Sequence, residues 1–219
     1  MLDEDLSTER VNPPALERFV PLSAERVLVC GDDAGVLSDA LERRNGVEVE
    51  RFLAGPQVGN APVELVSIPF ANDRFECTVA VDLLPRLRDP APVLRELRRG
   101  LSPGGLLIAT APNLQHFRTV FMLADARWSY AEEGILARSH VRFFTGVEVA
   151  ETLSAARFEV RSLSSLVLAP PERMPRDADA WIGSGRVQVG PLNDTEYQLY
   201  RTSQSVSLAV KTGDPAAGG

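Results

Sequence analysis

Two apolar runs in this chain end in polar residues able to do chemistry. Phe75-Glu-Cys-Thr-Val-Ala-Val leads into Asp82, and Leu106-Leu-Ile-Ala-Thr-Ala-Pro leads into Asn113. A carboxylate at the tip of a buried strand is costly without a partner, so Asp82 either has a structural partner or grips a ligand. The chain has 2 histidines: His116 lies just past Asn113, and His140 lies in the segment leading into a later helix. Both segments are expected to border one crevice, where a neutral imidazole can take a proton from a hydroxyl or an amine. A surface or capping role is the alternative for each. Trp128 and Tyr130, in the loop between them, either wall the same pocket or pack against the sheet.

These residues need a scaffold, and residues 75–112 describe one. An apolar strand is followed by a helix signal from Asp89 to Gly100, a tight turn Leu-Ser-Pro-Gly-Gly at 101–105, and a second apolar strand. Strand, crossover helix and strand form the βαβ unit of a mostly parallel sheet, whose ligands bind at the carboxyl ends of the strands. Asp89 is placed to cap the helix, Pro90 fits its first turn, and Val93, Leu94 and Leu97 make its buried stripe. Upstream, Arg26-Val-Leu-Val-Cys-Gly31 reads as the first buried strand, and Gly31-Asp-Asp-Ala-Gly35 as the turn into a helix burying Val36, Leu37, Ala40 and Leu41. Strands are expected at 47–53, 63–68, 160–168 and 205–211, with helices over 14–19, 114–126 and, capped by Thr145, to about residue 156.

The expected fold is therefore α/β: one Rossmann-like, doubly wound, mostly parallel sheet with an antiparallel last strand, in a single domain. A polar, proline-punctuated segment (1–22) precedes the domain at 23–212, and a disordered tail (213–219) follows. Between the last two strands, 170–204 is rich in Pro, Gly and Asp and too long for a hairpin loop. Such segments serve as lids or interaction surfaces, or are disordered.

Composition narrows the function. With 219 residues, 44% hydrophobic and 24% charged, the chain suits one well-buried domain. A net charge of −7 argues against a nucleic-acid binder working through a basic face. The arginines at 95, 98 and 99 read as a solvated helix face. No apolar run approaches the roughly 20 residues of a membrane span, and the acidic start lacks the layout of a signal peptide. Cys30 and Cys77 fall inside strands and read as core residues, neither a disulfide framework nor a metal site. The sequence shows no cluster of metal ligands. A cytoplasmic protein is expected.

Taken in order, these elements resemble the class I S-adenosylmethionine-dependent methyltransferases. The resemblance covers roughly residues 24–168. Val27-Leu-Val-Cys-Gly-Asp-Asp-Ala-Gly35 stands where that family has its glycine-rich first loop, and Ile68-Pro-Phe with Asn72-Asp-Arg-Phe-Glu76 resembles its "LPF…ds-F-D" stretch. Leu101-Ser-Pro-Gly-Gly105 matches its "L-x-P-G-G" turn. Ala111-Pro-Asn-Leu-Gln-His-Phe117 and Ser139-His-Val-Arg-Phe-Phe-Thr145 resemble segments of a branch modifying small molecules and glycans.

The resemblance implies S-adenosylmethionine as cofactor, held by Gly31, Asp32, Asp33, Gly35, Glu50, Glu64 and Asp82. Glu50 would take the ribose and Glu64 the adenine amino group. His140, ahead of His116, would be the base, with Asn113, Trp128 and Tyr130 around the substrate. The bland readings remain: Asp32 and Asp33 as N-caps, Glu50 as a solvated strand residue, and Gly31 and Gly35 as turn formers. The chain also departs from the family pattern. Val29 replaces the acid before the first glycine, Asp33 the middle glycine, and Pro85-Arg86 a Glu-His pair.

Two functions follow. One is methyl transfer to an oxygen or nitrogen of a small metabolite or sugar, which needs proximity, in-line geometry and a base but no metal. The other is a catalytically inactive relative acting as a binding partner or scaffold, its long 170–204 segment contacting a protein partner or a second copy of the chain. A nicotinamide dehydrogenase is excluded, because Gly31-Asp-Asp-Ala-Gly35 is not G-x-G-x-x-G and its carboxylates would repel a pyrophosphate.

Overall fold

The computed structural model describes residues 13–31, 34–52, 69–166, 181–184 and 187–213. Its six-stranded sheet runs in the order β2-β1-β3-β4-β8-β5, formed by β1 (Arg26–Gly31), β2 (Glu48–Phe52), β3 (Phe75–Val81), β4 (Leu101–Pro112), β5 (Phe158–Leu166) and β8 (Gln204–Lys211). The β1–β2, β1–β3 and β3–β4 pairings are parallel. β8 is antiparallel to both β4 and β5, as expected of the last strand. The expected strand at 63–68 lies outside the described residues, as do 1–12 and 214–219.

A parallel sheet carries helices on both faces, so its strands must be apolar on both sides. Val27, Val29, Val79, Val81 and Ile108 point into one core with Leu37 and Leu41 of α2 (Ala34–Glu42) and Leu16 of α1 (Pro13–Leu16). Leu28, Cys30, Ala80, Leu107 and Ala109 point into the other, with Val93, Leu94 and Leu97 of α3 (Pro90–Gly100) and Val149 and Leu153 of α5 (Gly146–Ala155). The two free cysteines thus belong to cores on opposite faces, and burial pushes both thiols up to about 12. Val36 is a correction. It was expected on the buried stripe of α2, but it is exposed while Leu37, Ala40 and Leu41 carry the contact.

The helix termini follow local chemistry. Asp89 accepts from the Ala91 amide at 3.0 Å and so caps α3. Thr145 and Glu148 form a capping box at the start of α5. After Asn113 the helix is shorter than expected, α4 spanning Phe117–Ala124, because the chain first turns at 114–116. The Leu-Ser-Pro-Gly-Gly stretch belongs to β4 itself: Phe75 pairs with Leu101 and Cys77 with Leu106, so the extra residues form an irregularity in one strand.

The described part of 170–204 has structure of its own. A hairpin of β6 (Ile182–Ser184) and β7 (Val187–Val189) precedes α6 (Asp194–Arg201). Ile182 and Leu192 pack on Phe117 and Phe121 of α4, with Tyr197 and Tyr200 flanking them. This segment therefore roofs α4.

Gly31, at the tip of β1, meets the tightest backbone approach among the described glycines. Its φ is +118°, and a Cβ there would stand 1.9 Å from the Val81 carbonyl oxygen of β3. Neither the backbone conformation nor the space admits a side chain. Gly31→Ala is expected to destabilise the fold by about 3 kcal/mol or more, read as a large drop in the urea midpoint. A midpoint within about 0.5 kcal/mol of the unaltered protein would refute this packing.

Candidate active site

The carboxyl ends of β1, β3 and β4 meet at one edge, and the expected site residues sort clearly there. Asp82, at φ +45°, turns its carboxylate back across the sheet. Its amide donates to Thr110 Oγ1 at 3.0 Å, that hydroxyl donates to Asp82 Oδ1 at 2.9 Å, and Gln204 Nε2 donates to the same oxygen. Thr110 and Gln204 are buried, so the half-buried acid has partners from β4 and β8. Burial without such partners would be prohibitive.

Asn113 is also committed to the fold. Its side-chain amide donates to the Leu199 and Thr202 carbonyls at 2.9 and 2.8 Å, closing the end of α6, and its Oδ1 accepts from the Gln115 amide at 3.1 Å. Its expected place beside a substrate is thus filled by the protein's own backbone.

The two histidines lie on neighbouring segments. The Val141 and Arg142 amides donate to the Pro85 carbonyl at 2.8 and 3.0 Å, and the Leu114 amide donates to the Phe144 carbonyl at 2.8 Å. Residues 141–144 therefore stretch from the 3-10 turn after β3 (Leu84–Arg86) to the end of β4, where Asn113 and Phe144 form a bridge. Pro85, standing where the family has an ionisable pair, anchors this segment through its carbonyl.

His140 is 6% exposed, with Nδ1 3.2 Å from the Ile135 carbonyl oxygen. A carbonyl only accepts, so Nδ1 carries a proton. His116 is 3% exposed, with its ring 4.6 Å from that of Phe117. Burial, and secondarily the Arg118 charge, push its pKa down to about 3. It is a neutral imidazole at pH 7, and a weak proton acceptor.

Trp128 and Tyr130 do not pack against the sheet. They are 37% and 47% exposed and stack edgewise on each other at 6.3 Å. Trp128 also meets Phe143 at 5.4 Å, and Tyr130 meets it at 6.4 Å. Phe143 belongs to the bridging segment, so this half-open aromatic cluster stands at the carboxyl edge. Sequence reading missed Phe143; its doublet with Phe144 was the available signal, one ring facing in and the other out.

Of the expected cofactor residues, Asp32, Asp33 and Glu64 lie outside the described residues. Glu50 sits in mid-strand beside Leu28, two residues before Phe52 at the end of β2. Its carboxylate pairs with Arg74, which also holds Glu48 at 3.1 Å, so it is turned toward the chain leading into β3. Gly35, in the first turn of α2, faces open space: a Cβ there would meet nothing within 4 Å. The two glycines therefore differ: the side-chain space at Gly31 is taken by the Val81 backbone, and only that at Gly35 is open. Among the described residues, no group of three or more His, Cys, Asp or Glu could hold a metal ion, and no helix is long and apolar enough to cross a membrane.

The depressed His116 pKa has a thermodynamic consequence. The folded value of about 3 lies below the unfolded value of about 6.5, so acid protonates the unfolded chain first. Its contribution is complete above about pH 6.5 and lost as pH falls from there toward 3. The urea midpoint is expected to fall between about pH 7.5 and about pH 5, and to fall less in His116→Asn. Identical pH slopes in the two proteins would refute the assignment.

Comparison with known proteins agrees with this arrangement. Residues 21–109 match a family model described as a methyltransferase domain. The chain is 23% identical over 180 residues to a ubiquinone biosynthesis O-methyltransferase of Aeromonas salmonicida, covering 74% of this chain and 76% of that one. It is 28% identical over 173 residues to an uncharacterised protein of Mycobacterium bovis, covering 76% of this chain but only 58% of that protein's length. Among solved structures, a methyltransferase from Archaeoglobus fulgidus superposes with a TM-score of 0.57 at 11% identity, over 91% of this chain and 92% of that one. The 1,6-didemethyltoxoflavin-N1-methyltransferase of Burkholderia thailandensis, solved with S-adenosylhomocysteine, gives a TM-score of 0.54 at 16% identity, over 95% of this chain and 80% of that one. Residues 21–109 thus match a methyltransferase domain, and the sheet order and carboxyl edge give the chain the fold of the solved methyltransferases it is similar to.

Proposed function

We propose that this protein methylates an oxygen or nitrogen of a small molecule, and that His140 takes the proton the acceptor loses. S-adenosylmethionine is the methyl donor of the family and supplies an electrophilic carbon on a sulfonium. The chain's own residues supply placement and proton transfer. Gly35 keeps the first turn of α2 free of a side chain, and Gly31 lets β1 end against the Val81 carbonyl. Asp82 offers a half-buried carboxylate at the tip of β3. Trp128, Tyr130 and Phe143 offer aromatic faces on which a flat acceptor can lie, excluding water from one side.

The observation that carries the reading is the hydrogen bond that sets the His140 ring. Its Nδ1–H is spent on the Ile135 carbonyl, so the acceptor's proton would be taken at Nε2. An O-methyltransferase and an N-methyltransferase among the similar proteins support an oxygen or nitrogen acceptor. Two free, buried cysteines suit a reducing cytoplasm. The inactive reading has its own support, since Arg74 occupies Glu50 and Pro85 serves as an anchor.

Calorimetry with S-adenosylmethionine separates the two readings, with binding expected for the native protein. Gly35→Asp should abolish binding by pushing a carboxylate into the open space. His140→Gln should bind the cofactor normally while S-adenosylhomocysteine formation, screened against small phenols, amines and sugars, slows by about a hundredfold or more. No binding by the folded native protein would establish the inactive relative, and an unslowed His140→Gln would remove the base. For the acceptor, Phe143→Ala is expected to raise KM about tenfold with kcat little changed. A loss in kcat alone would place Phe143 outside the acceptor site.

A further inference from the structure

Five cationic side chains converge at the edge of the sheet opposite the candidate active site. Arg95, Arg98 and Arg99 of α3, Arg157 after α5 and Lys211 at the end of β8 line a cleft of about 480 Å³, with Asp73 as its one carboxylate. The cleft opens where β3 and β5 begin and antiparallel β8 ends, which is the amino edge of the parallel strands. Such a concentration is unexpected in a chain of net charge −7.

Three of the cations are fastened in place. Arg98 donates to the Arg157 and Thr212 carbonyls at 3.3 and 2.7 Å. Arg99 donates to the Phe70 carbonyl at 2.8 Å and to Glu96 at 2.9 Å. Lys211 Nζ reaches the Leu101 carbonyl and Asp73, each at 2.6 Å. Glu96 and Asp73 neutralise Arg99 and Lys211, whereas the carbonyl partners of Arg98 orient it without cancelling its charge, so Arg95, Arg98 and Arg157 keep the wall positive.

The other two are the informative ones. Among the described residues, the guanidinium groups of Arg95 and Arg157 meet no acceptor, and both residues are exposed at the cleft. The dipole of α3 explains basic residues in its last turn, Arg98 and Arg99. It does not explain Arg157, which lies on no helix. Arg157 also stands at φ +65°, a left-handed position that favours glycine. Its backbone role, accepting from Arg98 and from the Thr212 hydroxyl, needs no side chain.

We infer that this cleft binds a small di- or polyphosphate anion, with Arg95 and Arg157 as its free forks. Guanidinium groups bind phosphate oxygens bidentately, and two of them across one cleft suit two linked phosphates better than a single carboxylate. The volume lies in the range of small-molecule sites, and Ala91, Ala155 and Ala156 give it an apolar strip for the rest of the ligand.

Calorimetry with inorganic pyrophosphate on the full chain tests this independently of methyl transfer. Binding at low salt with Kd below about 1 mM is expected, unchanged by S-adenosylmethionine and by Arg43→Ala in the exposed turn after α2. Arg95→Ala with Arg157→Gly should weaken it about tenfold or more. Glycine suits the backbone at 157, so this variant keeps its fold, which an unchanged urea midpoint and S-adenosylmethionine heat would verify. Absence of binding up to about 10 mM, equal loss in Arg43→Ala, or displacement by S-adenosylmethionine would each overturn the site. Tighter binding of a short single-stranded RNA through the same arginines would also overturn it, making the face a nucleic-acid contact.

Discussion

One carboxylate holds the carboxyl edge together. Asp82 closes β3 and draws in the Thr110 hydroxyl from β4 and the Gln204 amide from β8. Hydrogen bonds to a charged acceptor contribute about 1.5–3 kcal/mol each, and they offset the desolvation of the acid. The same contacts fix the register in which antiparallel β8 meets parallel β4, because Gln204 pairs with Pro112 at the strand tips. From that corner the chain turns directly into Thr202 and the end of α6, which Asn113 caps. The edge is therefore rigid before any ligand arrives.

Rigidity there decides where chemistry can reside. Asp82 and Asn113 stand where ligands bind in open α/β sheets, yet much of their hydrogen-bonding capacity is spent on the fold. The groups left to face a substrate come from the segment between α4 and α5, tied to Pro85 on one side and to the end of β4 on the other. Tethering at both ends is what lets a loop hold an imidazole and three aromatic rings in fixed positions. The hairpin β6–β7 and α6 complete the frame by covering the apolar face of α4.

The strands and α3 were legible because their signals are local and agree with one another. Continuous apolar runs, Asp89 before Pro90, and Thr145 before Glu148 each state an element and its boundary. The site was legible by position and less so by role. Asp82 and Asn113 were placed at the strand tips, but partners distant in sequence, Thr110, Gln204 and the carbonyls of 199 and 202, set what they do. Glu50 shows the same limit, since its side chain follows Arg74 in the chain leading into β3. The elements within 170–204 escaped for a different reason: a hairpin of two three-residue strands and an eight-residue helix carry too little periodicity to stand out from Pro, Gly and Asp.

The two histidines show how neighbouring positions can acquire opposite chemistry. Both are buried and both stand on segments meeting at the end of β4. At His116 burial beside Phe117 and Arg118 opposes the charged form, so the ring resists a proton throughout the physiological range. At His140 the Ile135 carbonyl accepts the Nδ1 proton and fixes the orientation of the ring. A general base must be neutral before the transfer and tolerated as a cation after it. The surroundings of His116 defeat the second condition.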